Sequence, residues 1–257
     1  MIIKRFVSLF KTTGFKVIAF IALLATSVLI ALAMLLGNEA GQFVIRVRDD
    51  SLNKSIMVTT DYADKSQYQP VLQAPGMTNM SDYSAEYFIK LGYNDLDEIT
   101  AKSGQYTNDG SSLYAYTFYI VNTTEDGSNV GVDVSMSYSK VTKNLDKAIR
   151  VMTYAYSTNT STPEIYQAKE TDGVEIDYVK DYGYVIEPQL FKEEGVNGGV
   201  VFDDQHYTIG TTASESANRI NYMKYSVFFW LEGNDPDDDE KILGGTIKFD
   251  LVVSVSM

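Results

Sequence analysis

The run Val130-Gly131-Val132-Asp133-Val134-Ser135-Met136-Ser137-Tyr138 alternates at every step: Val130, Val132, Val134, Met136 and Tyr138 share one face, and Gly131, Asp133, Ser135 and Ser137 the other. A period of two is a strand buried on one side. Just upstream, Leu113 to Val121 (LYAYTFYIV) is apolar on both faces, as a central strand is, and the intervening Asn122 to Asn129 (NTTEDGSN) is turn chemistry. The two runs are predicted to pair as a hairpin with a long polar tip. Further along, Ala148 to Ser157 reads as a strand entered through the turn Lys143-Asn144-Leu145-Asp146. Met223 to Leu231 and Gly245 to Met257 read as a terminal pair, the latter with Ile247, Phe249, Leu251, Val253 and Val255 in strict alternation. Gln42 to Arg48 and Ser55 to Thr60 are shorter strands, and no long amphipathic helix is evident between Asp61 and Asp109.

Nineteen tyrosines and only five prolines favour strands. Several short strands with no alternation of strand and helix predict an all-β fold, a jelly-roll or Ig-like antiparallel β-sandwich over residues 42–257. The stretches Asp61 to Asp109 and Ser157 to Asn221 read as loop-rich insertions that leave the strand order open.

Ahead of the sandwich, Val17 to Leu36 is twenty residues without a charge, preceded by Lys4, Arg5, Lys11 and Lys16 and by no acidic residue. A helix of that length spans about 30 Å, the hydrocarbon thickness of a bilayer. Residues 1–16 then read as a cytoplasmic basic segment, 17–36 as a transmembrane or signal-anchor helix, 37–41 as a short linker, and 42–257 as extracellular. Ala31-Leu32-Ala33 and Asn38-Glu39-Ala40 also offer themselves to a signal peptidase. The protein is therefore expected in the cell membrane with its C-terminal domain outside, or secreted if the helix is cleaved.

Four of the 21 Lys and Arg lie before that helix and all 34 Asp and Glu lie after it, which leaves the exported part 17 charges negative. Such a surface repels nucleic acid and anionic headgroups. The absence of cysteine removes disulfides and thiolate chemistry, and a chain this long buries a core without them, as in a bacterial envelope protein. The Asn-x-Ser/Thr triplets at Asn53, Asn79, Asn122 and Asn159 mark stretches expected to be polar and exposed.

The foremost site candidate is the acidic run Asn234-Asp235-Pro236-Asp237-Asp238-Asp239-Glu240, where Asp235, Asp237, Asp238, Asp239 and Glu240 can supply oxygen ligands to Ca²⁺. It departs from the EF-hand template, with Glu240 at the glycine position and Thr246 at that of the bidentate glutamate, and the bland alternative is a solvated tip whose charges prevent edge association. His206, the only histidine, lies beside Asp203 and Asp204 and reads as a loop residue. One histidine excludes an HExxH site, and no GxSxG is present; a Ser-His-Asp group assembled from distant residues stays open. Tyr114, Tyr116, Tyr119, Tyr154, Tyr156, Tyr182 and Tyr184 can form an aromatic carbohydrate-binding surface or a subunit interface, or simply pack the sheets. Gly195 to Gly199 is a flexible turn without the following helix that a phosphate cradle needs. Trp230 is expected in the core.

The segments Gly37-Asn38-Glu39-Ala40-Gly41, Leu72 to Met77 (LQAPGM), Asn144 to Met152 (NLDKAIRVM) and Trp230 to Asp237 (WLEGNDPD) resemble blocks in exported proteins of Gram-positive bacteria that have no established activity. In layout, an export helix followed directly by a jelly-roll, the chain is similar to the TasA/camelysin family of biofilm-matrix and surface-fibre proteins. That resemblance implies self-assembly by strand addition, with Gln42 to Arg48 as the donated strand. An uncleaved anchor would tether that strand, and the protease role ascribed to camelysin-type members finds no zinc motif here. The expectation is a non-enzymatic, cofactor-free bacterial surface protein with a structural or adhesive role, held to the membrane by its N-terminal helix and partnered by surface proteins, glycans or its own copies. The alternative is a Ca²⁺-dependent carbohydrate- or protein-binding module; an exported hydrolase comes third.

Overall fold

Strands dominate because the alternating runs each have one face to bury. The computed structural model describes residues 43–52, 56–76, 80–83, 99–101, 103–107, 113–124, 128–156, 163–168, 189–192, 198–209, 221–233 and 242–256, all within a compact unit spanning Gly41–Met257. Its strands are β1 (Phe43–Val47), β2 (Ile56–Thr59), β3 (Val71–Ala74), β4 (Asp82–Tyr83), β5 (Gly104–Thr107), β6 (Leu113–Asn122), β7 (Val130–Ser139), β8 (Ile149–Tyr156), β9 (Glu164–Gln167), β10 (Gln189–Leu190), β11 (Gly198–Ile209), β12 (Tyr222–Glu232) and β13 (Lys248–Val255). Single turns of helix, α1 (Asp49–Leu52) and α2 (Leu145–Ala148), interrupt them. The prediction of an all-β sandwich is met: one sheet runs β11-β7-β13-β1-β3, the other β10-β9-β8-β12-β6-β2, with β4 added to β12 and β5 to β6.

Two predicted pairings are wrong for one reason. β6 and β7 do not form a hairpin, and β12 and β13 do not form a terminal pair; in each case the chain crosses from the second sheet to the first. β6 has no free side, since β12 occupies one and β2 and β5 share the other. Alternation reports that a face is buried and says nothing of the neighbour. Asn122 holds the first crossing: its Nδ2 donates to the Ser128 carbonyl at 2.8 Å, and its Oδ1 accepts from the Thr124 amide at 3.0 Å. That side chain is buried, contrary to the exposure expected of its triplet; Asn53, Asn79 and Asn159 lie outside the described residues.

Nor is the first sheet wholly antiparallel. β1 lies parallel to β13, Ile45 opposite Leu251, and antiparallel to β3, Ile45 opposite Leu72. The strand nominated for donation is thus interior to its own sheet. At one edge, β3 is four residues long and bracketed by Pro70 and Pro75, a strand poorly suited to accept another chain. At the other, β11 slips register against β7 around Val200, Phe202 and Gln205. Phe191 and Lys192 bind across this side, their amides donating to the Gln167 carbonyl at 2.8 Å and the Val200 carbonyl at 2.9 Å, which joins the two sheets. Gly198 opens β11 at φ 138°, and a Cβ there would lie 2.2 Å from the Tyr138 carbonyl oxygen, so only glycine fits.

Ile45, Val134 and Leu251 of the first sheet face Phe118, Tyr225 and Val227 of the second across the core. The outer face of the second sheet is also largely buried, around Leu113, Met152, Phe228 and Trp230 with Ile99 against them. Trp230 is therefore buried as expected, but on this outer face, where its Nε1 donates to the Glu232 carboxylate at 3.2 Å. No helix among the described residues is long and apolar enough to cross a membrane; Val17 to Leu36 lies outside them.

Candidate functional site

Toward the start of β12 the outer face of the second sheet emerges from its cover. There Tyr156 of β8, Lys224 of β12 and Tyr119 of β6 lie side by side in register, with Tyr222 beyond them. Tyr62 folds over from the turn after β2. That turn is built locally: the Thr59 hydroxyl accepts from the Asp61 amide at 3.0 Å, Asp61 Oδ1 accepts from the Ala63 amide at 2.9 Å, and the Tyr68 hydroxyl donates to the Tyr62 carbonyl at 2.6 Å. The rings of Tyr62 and Tyr222 stack with centroids 4.1 Å apart, and Tyr119 meets them edge-on at 5.0 and 5.1 Å. The Lys224 ammonium lies 5.9 Å from the Tyr156 ring centroid. Burial, then the neighbouring phenols, push the Tyr222 hydroxyl above its ordinary pKa.

Of the predicted tyrosines, Tyr114 and Tyr116 lie in the inner core and Tyr154 is buried on the outer face; Tyr182 and Tyr184 lie outside the described residues. Among the described ones, Tyr119 and Tyr156 join the strip. Tyr62 and Tyr222 were missed because one sits in a turn, and strand periodicity alone does not show which outward residues remain uncovered.

A second cluster lies between the sheets where β9 faces β11. Gln205 is its hub: its Oε1 accepts from the Tyr207 and Tyr225 hydroxyls, each at 3.0 Å, and its Nε2 donates to the Glu164 carboxylate and to the Tyr166 hydroxyl, which itself donates to Glu164. The slip in β11 after Phe202 turns Gln205 and Tyr207 inward. Burial, followed by the Glu164 charge, pushes the Tyr207 phenol up to about 12; burial also raises Tyr225 and Tyr166. Unfolded tyrosine ionises near about pH 10. Between that value and the folded pKa the unfolded chain has lost protons that the folded one keeps, so stability is complete below about pH 10 and falls as the pH rises towards 12. Melting temperature measured across this range is expected to be flat to about pH 9.5 and then to drop; a flat profile to pH 12 would count against the buried phenols.

His206 is not in a loop but on β11, outward-facing and opposite Asp133 of β7. The alternation of Gly198 to Ile209 is broken at Asp203-Asp204, which hid the strand. His206 Nδ1 and the Ser256 hydroxyl both lie 2.8 Å from Asp133 Oδ1 and 3.0 Å from each other. Burial pushes the Asp133 carboxyl up, but hydrogen bonds from His206 and Ser256 and the charges of His206 and Arg48 outweigh it and hold the carboxyl below its usual range. In a charge-relay group the carboxylate and the serine occupy opposite nitrogens of the imidazole; here both sit at Nδ1. The arrangement ties the end of the chain, through Ser256, to β7 and β11.

Asp235, Asp237, Asp238, Asp239 and Glu240 lie outside the described residues, among which no group of three His, Asp or Glu side chains is placed to hold a metal. No family model, curated protein or solved structure matches the chain.

Proposed function

We propose that the protein is a non-enzymatic bacterial surface module with an adhesive role, exported by the apolar segment at 17–36 and binding through the tyrosine strip. The observation that carries this reading is the clustering of Tyr62, Tyr119, Tyr222, Tyr156 and Lys224 at one end of the second sheet's outer face. The geometry of the domain favours presentation. The chain enters at Phe43, whose ring packs on Phe229 of β12 with centroids 5.2 Å apart. Tyr222 lies seven residues along the same strand, or about 23 Å away. Phe43, the first described residue of β1, therefore lies toward the end of β12 opposite the strip.

A matrix or filament role by strand addition is the weaker reading, because β1 would have to leave an interior position and the β3 edge is short and proline-bracketed. Cells displaying the full chain are expected to adhere to a surface coated with their own envelope material. Tyr156→Ala combined with Tyr62→Ala should cut retention by about tenfold, with the melting temperature within about 4 °C of the parent. Unchanged retention would rule the strip out as the adhesive face.

A further inference from the structure

We infer that the tyrosine strip takes an uncharged, linear oligosaccharide, a proposal that rests on the adhesive reading above and names its ligand. Size decides against a protein partner. Tyr62 and Tyr156, the two rings of the strip that are largely open to solvent, are 43% and 54% exposed, about 200 Å² together, and the half-buried Tyr222 and Lys224 add less than that. A stable protein interface buries about 800 Å² on each partner.

Shape decides for an elongated ligand. From Tyr156 on β8 across Lys224 on β12 and Tyr119 on β6 to the turn that carries Tyr62, the strip crosses three strand spacings, about 15 Å. That length suits several pyranose rings in a row better than a single sugar. The carbon-bound hydrogens on one side of a pyranose stack on an aromatic ring, and its hydroxyls reach polar groups at the ring's rim. The strip supplies both, with phenol hydroxyls and the Lys224 ammonium beside the rings.

Charge decides for a neutral glycan. Among the described residues, Lys224 is the cation within the strip, and Lys65, exposed in the turn that carries Tyr62, sits between the acidic pair Asp61 and Asp64 and the end of that turn. Asp61 borders it closely enough to raise the Tyr119 phenol, after burial and Tyr62. Asp64 follows in the same turn, its carboxyl held low by hydrogen bonds from the side chains of Ser66 and Gln67 and from the Ser66 amide. The exported part of the chain as a whole is strongly negative, so a polyanionic glycan would be repelled.

Titration of the full-length chain with cellohexaose, chitohexaose and maltohexaose, and with hexagalacturonate as the anionic counterpart, tests this by calorimetry. At least one neutral hexasaccharide is expected to bind, more tightly than its disaccharide and than the anionic oligomer. Tyr156→Ala should weaken it about tenfold, whereas Tyr156→Phe, which keeps the stacking face, should stay within about threefold. Tyr106→Ala, an exposed tyrosine outside the strip, should bind as the parent does. No binding by any neutral oligosaccharide, binding indifferent to Tyr156→Ala, or preference for hexagalacturonate would overturn the inference. If the double tyrosine variant abolishes adhesion while no neutral oligosaccharide binds, the adhesive reading stands and the glycan falls. If oligosaccharides bind but adhesion is unchanged, the adhesive reading falls alone.

Discussion

Replacing Ile45 with aspartate is expected to abolish cooperative folding. Ile45 is fully buried in β1, between Leu251 of β13 and Leu72 of β3. Losing a buried isoleucine costs about 2–5 kcal/mol, and an unpaired carboxylate in its place costs several more. Against a total stability of about 5–15 kcal/mol, that is enough to unfold the domain. Arg46→Ala on the exposed face of the same strand should change stability by about 0.5 kcal/mol or less. Thermal melts followed by circular dichroism read both. A near-normal melt for Ile45→Asp would mean that β1 is not interior in solution, and would revive strand exchange. The same placement limits a simpler test: deleting Gln42 to Arg48 should destroy any assembly by unfolding the domain, whatever the route of assembly.

The second large effect is expected at Gln205, although its side chain is not fully buried. Gln205→Ala removes the acceptor that the Tyr207 and Tyr225 hydroxyls share, leaving them only each other and, for Tyr225, Thr153, and withdraws a donor from Glu164 and Tyr166. Tyr225 has no exposure through which water could replace the bond. At about 1–3 kcal/mol for each unsatisfied buried group, with Glu164 rehydrating at its exposed side, a loss of about 2–4 kcal/mol follows. Because the groups act as one network, combining Gln205→Ala with Tyr225→Phe should cost less than the sum of the two alone. Urea denaturation of the two single variants and the double would show it. Strict additivity would mean that the two side chains do not interact.

The pattern of β7 and the two-sided burial of β6 were legible residue by residue, since apolar periodicity is a local property that burial enforces. β11 was not, because its slip at Asp203-Asp204 breaks the period of two, and His206 was accordingly read as a loop residue. The Gln205 network was invisible for a related reason. Its members come from β9, β11 and β12, and hydrogen bonds between sheets leave no spacing along the chain. The two polar turns looked like hairpin tips because turn chemistry says that the chain reverses, not which sheet it rejoins.

By itself, then, the sequence determined the class of fold and which strand faces are apolar, because each follows from the residue types within about ten positions of one another. The tertiary structure decided the partners: that β1 lies beside β13, that Trp230 is buried on an outer face, and that Tyr62, Tyr119, Tyr156 and Tyr222 meet while Tyr114 and Tyr116 go to the core. Those outcomes depend on which strands hydrogen-bond and which surfaces are covered. Both are set by competition among distant segments for the same buried area.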